Sequence, residues 1–267
     1  MQKLLLIVLP LLLIFGCSSP KPINYEETLN ERDGIYYTKD TNEPYSGQVF
    51  SLYDDGKKKG EGTLKDGKMI NYTDIEWYKN GQKSLEETYK DGELISVIFW
   101  NKDGKIREPI NYETNLVYER GRSYSKDTNA PYSGPVFGLY ENGSKKWEGI
   151  LNVGKSHGLM INWYENGQKE REKIYKNGKS HGLRTEWYEN GQKKSEKIYK
   201  DGYEDGFQTT WYENGQKKYE RNYRYGSGFD GLYNRWYENG QKEREETYDN
   251  WEIISRKEWN EDGSLKE

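Results

Sequence analysis

The chain has 267 residues, 32% of them charged and 32% hydrophobic, and its mean hydropathy is −1.20. Such polarity would suit a disordered chain, but 25 Tyr, 9 Trp and 6 Phe argue against disorder, because disordered chains are poor in aromatics. Basic and acidic residues nearly balance, 41 against 45, and no basic block stands out, so no nucleic acid is expected as a partner.

Lys3 is followed by an apolar run from Leu4 to Phe15, then by Gly16-Cys17-Ser18-Ser19. A basic start, about a dozen apolar residues and a small residue at the cut make a secretory signal. The run is too short for a good spanning helix, which needs roughly 20 apolar residues. Ile14-Phe15-Gly16-Cys17 resembles the lipobox of bacterial lipoproteins, which implies that Cys17 is lipid-modified and becomes the new N-terminus. Cys17 is the one cysteine of the chain, so the mature protein would depend on packing and hydrogen bonds in an oxidising compartment. Ser18, rather than Asp, after the cysteine resembles the outer-membrane sorting pattern of two-membrane bacteria. The expected location is the cell envelope, with the membrane as a partner through the lipid anchor. Residues 1–16 read as the leader, and residues 17–33, with Pro20 and Pro22, as a tether.

Beyond the tether the chain repeats itself. Trp-Tyr-Glu-Asn-Gly-Gln-Lys begins at Trp163, Trp187, Trp211 and Trp236, in steps of 24, 24 and 25 residues, and Trp-Tyr-Lys-Asn-Gly-Gln-Lys begins at Trp77. A fixed period of this length marks a tandem repeat. Each period holds two turn signals, such as Asn166-Gly167 and Asn177-Gly178, and both read as type I′ turns. The segments between turns are strand-sized and rich in aromatic or β-branched residues, and leave no room for helices of 10–12 residues. Gly158, Gly182, Gly206 and Gly231 fall inside strands, where they are expected to leave room for an aromatic ring across the ladder.

The pattern from Gly182 to Gly202 resembles the bacterial variant of the MORN repeat. The resemblance covers Tyr140 to Gly263 and recurs from Tyr53 to Gly104. It implies an all-β fold: an elongated meander of antiparallel β-hairpins in an open single-layer sheet, without a catalytic centre, serving as scaffold or binding surface. Many bacterial relatives are labelled antitoxins, a role that a lipid-anchored exported protein would not readily fill.

A larger duplication lies above the small one. Tyr37 to Gly47 returns as Tyr124 to Gly134 at an offset of 87 residues, continuing through Val49/Val136 and Phe50/Phe137. Residues 34–104 and 123–267 are therefore two repeat segments, each opened by this motif. Residues 105–122, with Pro109, read as a junction, and the whole as one elongated body. Trp259 to Gly263 would form the closing hairpin.

The residues offer little chemistry. His157 and His181 occupy equivalent repeat positions roughly 10 Å apart, too far to share a metal. Glu170/Glu172 and Glu245/Glu246 lie on charge-rich strands of a surface with no deep pocket, so they do not read as a glycosidase pair. No phosphate loop, zinc spacing or activated-serine motif is present. No enzyme activity, cofactor or metal is expected. Trp77, Trp163, Trp187, Trp211 and Trp236 are the binding candidates: they either pack as a ladder or present flat rings to a ligand. The expected function is an anchored scaffold that docks an envelope protein; the alternatives are a glycan-binding or cell-wall-binding module and an antitoxin-type binding protein.

Overall fold

The structure, a computed structural model, describes residues 21–224 and 228–266. The leader, the acylation signal and Cys17 lie outside the described residues. Within them the chain is mainly a succession of antiparallel hairpins, most of them in two large open sheets, as the turn spacing requires.

The first unit contains β1 (Ile23–Asn24), the single helical turn α1 (Tyr25–Thr28), β2 (Leu29–Arg32), β3 (Ile35–Thr38), β4 (Gly47–Leu52), β5 (Lys58–Lys65), β6 (Lys68–Trp77), β7 (Lys83–Lys90) and β8 (Glu93–Phe99). The second repeats that order with β9 (Ile110–Asn111), α2 (Tyr112–Asn115), β10 (Leu116–Glu119), β11 (Arg122–Ser125), β12 (Gly134–Leu139) and β13 (Lys145–Asn152). It continues through β14 (Lys155–Ser156), β15 (Gly158–Trp163), β16 (Lys169–Lys176), β17 (Lys179–Trp187), β18 (Lys193–Lys200) and β19 (Tyr203–Trp211). The last strands are β20 (Lys217–Arg224), β21 (Gly228–Trp236), β22 (Lys242–Asp249) and β23 (Glu252–Glu258).

The strands do not join into one continuous ladder. The first unit is a six-stranded sheet and the second a 13-stranded sheet. Each starts with a short strand running parallel to its neighbour, β1 on β4 and β9 on β12, an exception to the expected antiparallel pairing. The short hairpins β2–β3 and β10–β11 form separate two-stranded sheets.

Of the residues expected as tether and junction, 23–32 and 110–119 are folded into strands and a helical turn. The duplication begins at Pro22 and Pro109, well before Tyr37 and Tyr124, and includes Ile23/Ile110, Tyr25/Tyr112 and Leu29/Leu116. In each unit this stretch forms a cap that covers the first array hairpin and closes a small core. Leu29, Val49 and Leu64 are buried together in one, and their counterparts Leu116, Val136 and Leu151 in the other. A single-layer sheet buries little, so the cap supplies its enclosed apolar contact and seals the array end, as solenoids require. Pro22 and Pro109 read as linker residues because the apolar positions that pack here are few and irregularly spaced.

The two turn signals of each repeat make different turns. At Asn177-Gly178 both residues have positive φ, 52° and 86°, and at Asp201-Gly202 the values are 51° and 97°, as a type I′ turn demands. At Tyr164-Glu165-Asn166-Gly167 only Gly167 does, at 82°. There the Gly167 N–H donates to the Tyr164 carbonyl and the Tyr164 N–H to the Gln168 carbonyl, at 2.9 and 2.8 Å. That is a type I turn completed by a glycine bulge, the three-residue hairpin, in place of the expected type I′.

The in-strand glycines also differ from expectation. Gly182 has φ +73° and lies in a bulge where 181–183 oppose Ile174 alone, so the left-handed backbone requires it. A Cβ there would meet the Ile174 and Glu93 side chains at ordinary contact distances of 3.5 to 3.9 Å and no ring, so ring clearance is not its role. Ring clearance instead falls to Gly60 and Gly138, where a Cβ would collide with Tyr72 and Trp147.

The units meet along β7, β8 and the start of the second array. His157 is 2% exposed; its Nδ1 accepts from the Asn177 N–H at 3.2 Å, and its Nε2 lies 2.9 Å from Glu87 Oε1 without the alignment of a good hydrogen bond. An acceptor Nδ1 turns the Nε2 side of the ring toward Glu87. His157 thus lies in a seam between the units, a place its repeat equivalent His181 does not share. The Lys176 ammonium lies over the Tyr89 ring at 5.6 Å, and Arg107 bonds both the Tyr78 hydroxyl and the Ser133 carbonyl.

Two outcomes test this account. Val153 takes φ +48° in a type I′ turn while 50% exposed, where a β-branched residue is strained. Val153→Asn should raise stability by about 1 kcal/mol in urea unfolding, and no gain would contradict the assigned turn. Burial acts to raise the Glu87 pKa, yet the contacts of His157 and Tyr89 outweigh it and hold the carboxyl below its usual 4.5. Its stabilisation is therefore complete above that value and is lost as pH falls through the depressed pKa. Glu87→Gln should cost about 1–3 kcal/mol at pH 7 and weaken the further loss on going to pH 3; an unchanged acid limb would contradict it.

Candidate functional site

Alternation along each strand sorts the array into two faces. On one, Leu183, Thr185 and Trp187 of β17 stand beside Ile198 and Glu196 of β18, and the next hairpin repeats the order with Phe207, Thr209 and Trp211. Three rows therefore run across the strands: apolar, then Glu/Thr, then Trp/Lys. The opposite face carries Arg184, Glu186, Tyr199, Glu204, Gln208, Arg221 and Glu246.

The five candidate tryptophans lie in the third row. Trp77, Trp163, Trp187, Trp211 and Trp236 are all half-buried, neither enclosed nor bare. A lysine from the preceding hairpin lies over each late ring: Lys145 over Trp163, Lys169 over Trp187, Lys193 over Trp211 and Lys217 over Trp236, at 5.3 to 5.9 Å. Lys242 over Trp259 and Lys83 over Trp100 continue the series. Each of these lysines also pairs with a glutamate three residues on, as in Lys193–Glu196 at 2.5 Å. Such exposed pairs contribute little singly, but each holds its ammonium over an indole, where cation–π attraction adds about 0.5–1 kcal/mol. At Trp77 the indole Nε1 donates to the Lys58 carbonyl at 2.8 Å.

The rest of the heptapeptide joins neighbouring repeats. The hydroxyls of Tyr140, Tyr164, Tyr188, Tyr212 and Tyr237 donate to the carbonyls of Trp163, Trp187, Trp211, Trp236 and Trp259, at 2.6 to 3.0 Å. Tyr78 does the same to Trp100 in the first unit. Burial pushes the Tyr164 and Tyr188 pKa values up, and nearby glutamates add to it, so both phenols remain donors at neutral pH. Asn190 accepts from the Gln192 N–H at 2.9 Å, which shapes its own turn, while its amide donates to the Glu213 carbonyl of the next repeat. Asn166, Asn214 and Asn239 make the same pair of contacts. The heptapeptide is therefore a connector, and the indoles are bound up in it.

The polar face is paired as well. Glu186 takes Arg184 and Ser195, Glu204 takes Lys197 at 2.9 Å, and Glu246 takes Arg256 at 2.6 Å and the Tyr248 hydroxyl at 2.9 Å. These contacts hold the Glu186 and Glu204 carboxyls below their usual range despite burial, which acts to raise them. Among the described residues no group of three or more His, Cys, Asp or Glu could hold a metal.

The apolar row has no such occupation. Leu159 and Leu183 are each 43% exposed, Phe207 68% and Leu232 48%, with Ile198 beside them. Three steps of roughly 10 Å give a stripe about 30 Å long. The sequence does carry a signal for it: each of the four follows the in-strand glycine, at Gly158, Gly182, Gly206 and Gly231. That signal is easily passed over, because residues directly after a strand glycine read as core by type, and alternation cannot say which face a lone sheet leaves uncovered.

The repeats of this geometry match one family model. The MORN repeat variant matches residues 156–177, 180–201, 204–225 and 229–250. No curated protein matches the chain. Among solved structures, a chain of the Photorhabdus luminescens Tc holotoxin pore is similar at 10% identity and a TM-score of 0.22, over 89% of this chain and 16% of its own length.

The connector is open to test. Tyr188→Phe removes one cross-repeat hydrogen bond and little else, so denaturant unfolding should show a loss of about 1 kcal/mol. An unchanged midpoint would mean that the phenol does not hold the repeats together. Residues 156–250 are four tandem copies of the MORN repeat variant, and this array is a repeat-based binding and scaffold module.

Proposed function

We propose that this protein is a non-catalytic cell-envelope lipoprotein, anchored through Cys17, whose array docks another envelope protein along Leu159, Leu183, Phe207 and Leu232. The observation that carries the reading is the stripe itself. It is long and apolar, and it is bordered by a charged row that would restrict a partner's orientation. Export and anchoring rest on Lys3, the apolar run to Phe15 and the lipobox resemblance around Cys17.

The glycan alternative requires bare ring faces, whereas the repeat indoles carry lysine ammoniums and are half-buried. A catalytic role is disfavoured because the carboxylates of the polar face are held in pairs. The protein-docking reading therefore accounts for more of the surface.

Crosslinking in the native envelope tests it with three forms of the full chain. The unaltered protein should capture a protein partner. A Leu183→Glu/Phe207→Glu variant should lose that partner with an unchanged circular dichroism spectrum, since both positions are exposed. Cys17→Ser should leave the membrane fraction. Retention on peptidoglycan or polysaccharide with no protein partner would overturn docking, and membrane retention of Cys17→Ser would overturn the anchor.

A further inference from the structure

The cap of the first unit borders an open pocket of about 340 Å³ that the array's function leaves unused. Tyr25, Tyr36, Tyr72, Tyr89, Met69 and Asp74 line it. The volume falls at the small end of the range for small-molecule sites, about 300–1,000 Å³. Tyr25 stands nearly perpendicular to Tyr36 and to Tyr72, with centroids 5.5 and 6.4 Å apart and both interplanar angles 81°. Three walls of a box are thus aromatic, with Tyr25 set square to the other two. Register brings Tyr89 alongside Tyr72, but its ring already carries the Lys176 ammonium at 5.6 Å, so the free ring faces are those of Tyr25, Tyr36 and Tyr72. Gly60 and Gly62 leave the adjoining strand without side chains on this face, giving the Tyr72 ring its space.

One acid enters this box without a counter-ion. Asp74 is half-buried between Gly60 and Glu87 in the ladder, and no cation lies within ion-pair distance of it among the described residues. The nearest basic group in its environment, Lys59, is bound to Glu26 at 2.8 Å. Burial, with the Glu87 charge adding to it, pushes the Asp74 pKa up, which marks a carboxylate that would gain from a positive neighbour. On the array's polar face, by contrast, the corresponding acids are paired.

The duplication supplies an internal comparison. By register, the second unit has Met160 in place of Tyr72, Asn162 in place of Asp74, Arg171 in place of Glu87 and Lys173 in place of Tyr89. Ser123 replaces Tyr36 at the 87-residue offset. The same backbone therefore carries an acidic tyrosine box in one unit and, in the other, a basic surface on which Trp147 takes the place of Gly60 and packs edge-on against Tyr112. The small apolar core is common to both caps and does not explain the difference.

The geometry points to a binding site for a compact quaternary ammonium in the first cap, with the tyrosine rings around the methyl groups and Asp74 as counter-charge. Ring faces attract a desolvated cation, and a carboxylate at the box completes the charge balance. A quaternary nitrogen needs no hydrogen-bond acceptors. A primary ammonium would need up to three, whereas the box presents mainly ring faces beside Asp74.

Calorimetric titration of the full chain carrying Cys17→Ser, so that no acyl chain contributes, tests the site with choline as the probe. Saturable binding is expected, with no binding of 3,3-dimethylbutan-1-ol, which has the same shape without the charge. Asp74→Asn should weaken choline binding about tenfold or more, and Tyr36→Ala should do likewise, both with unchanged circular dichroism. Asn162→Ala in the second unit should leave it unaltered. Phosphatidylcholine vesicles, compared with phosphatidylglycerol vesicles, identify the source. Choline-competed vesicle binding marks a lipid headgroup, and choline binding without it marks a free cation. Absence of saturable choline binding, equal binding of the uncharged alcohol, or an unaffected Asp74→Asn would each overturn the assignment.

Discussion

A tyrosine hydroxyl bonded to the main-chain carbonyl of the next repeat's tryptophan is the tie on which this architecture depends. A single-layer sheet has two solvent-facing sides and almost no enclosed volume, so hydrophobic burial cannot hold distant parts together. Stability must pass from neighbour to neighbour. Backbone ladders join adjacent strands, but the phenol skips one strand and joins whole repeats, as from Tyr188 to Trp211. The asparagine amide does the same one turn further out, from Asn190 to Glu213. With each lysine laid over the following indole, every repeat is fastened three times to the next. A polar chain without a core can thus hold a defined shape.

That economy has a consequence at the ends. The first hairpin of an array has no preceding repeat to supply its contacts, and both units solve this with the same folded cap. Leu29 and Leu116 enter small cores beside Val49 and Val136, and a short parallel strand lies on each exposed edge. The caps protect unpaired edges, which would otherwise invite association. Once duplicated, they were free to differ on the side that the core does not use. One acquired Tyr72 and Asp74 where the other has Met160 and Asn162. The array and its caps therefore offer separate surfaces: an apolar stripe along the repeats and a charged aromatic pocket beside one cap.

The repeat was legible because its signals are local. Asn-Gly and Asp-Gly dipeptides at fixed spacing require turns whatever surrounds them, and the strands between follow. The turn types were only half legible. Asn166-Gly167 and Asn177-Gly178 are identical pairs, and what separates them is the Asn166 side chain, which accepts from the Gln168 N–H within its own turn and donates to the Glu189 carbonyl of the next repeat. The caps were hidden for the opposite reason. Ile23, Leu29 and Tyr36 come together with Leu64 only through the fold, and no periodicity announces them. Among the functional candidates, the tryptophans drew notice because they recur, yet recurrence reflects the connector. The stripe at Leu183 and Phe207 and the box at Tyr72 and Asp74 depend on which face stays uncovered and which side chains meet across strands.

The central claim is that the fold is propagated by nearest-neighbour repeat contacts rather than by a shared core. Removing one full period, residues 187–210, joins Glu186 directly to Trp211 and restores every connector in register. The account predicts that the shortened chain folds with the same β-sheet circular dichroism signature and a cooperative transition, its stability reduced by one repeat's increment. Loss of folded structure on that in-register deletion would contradict it.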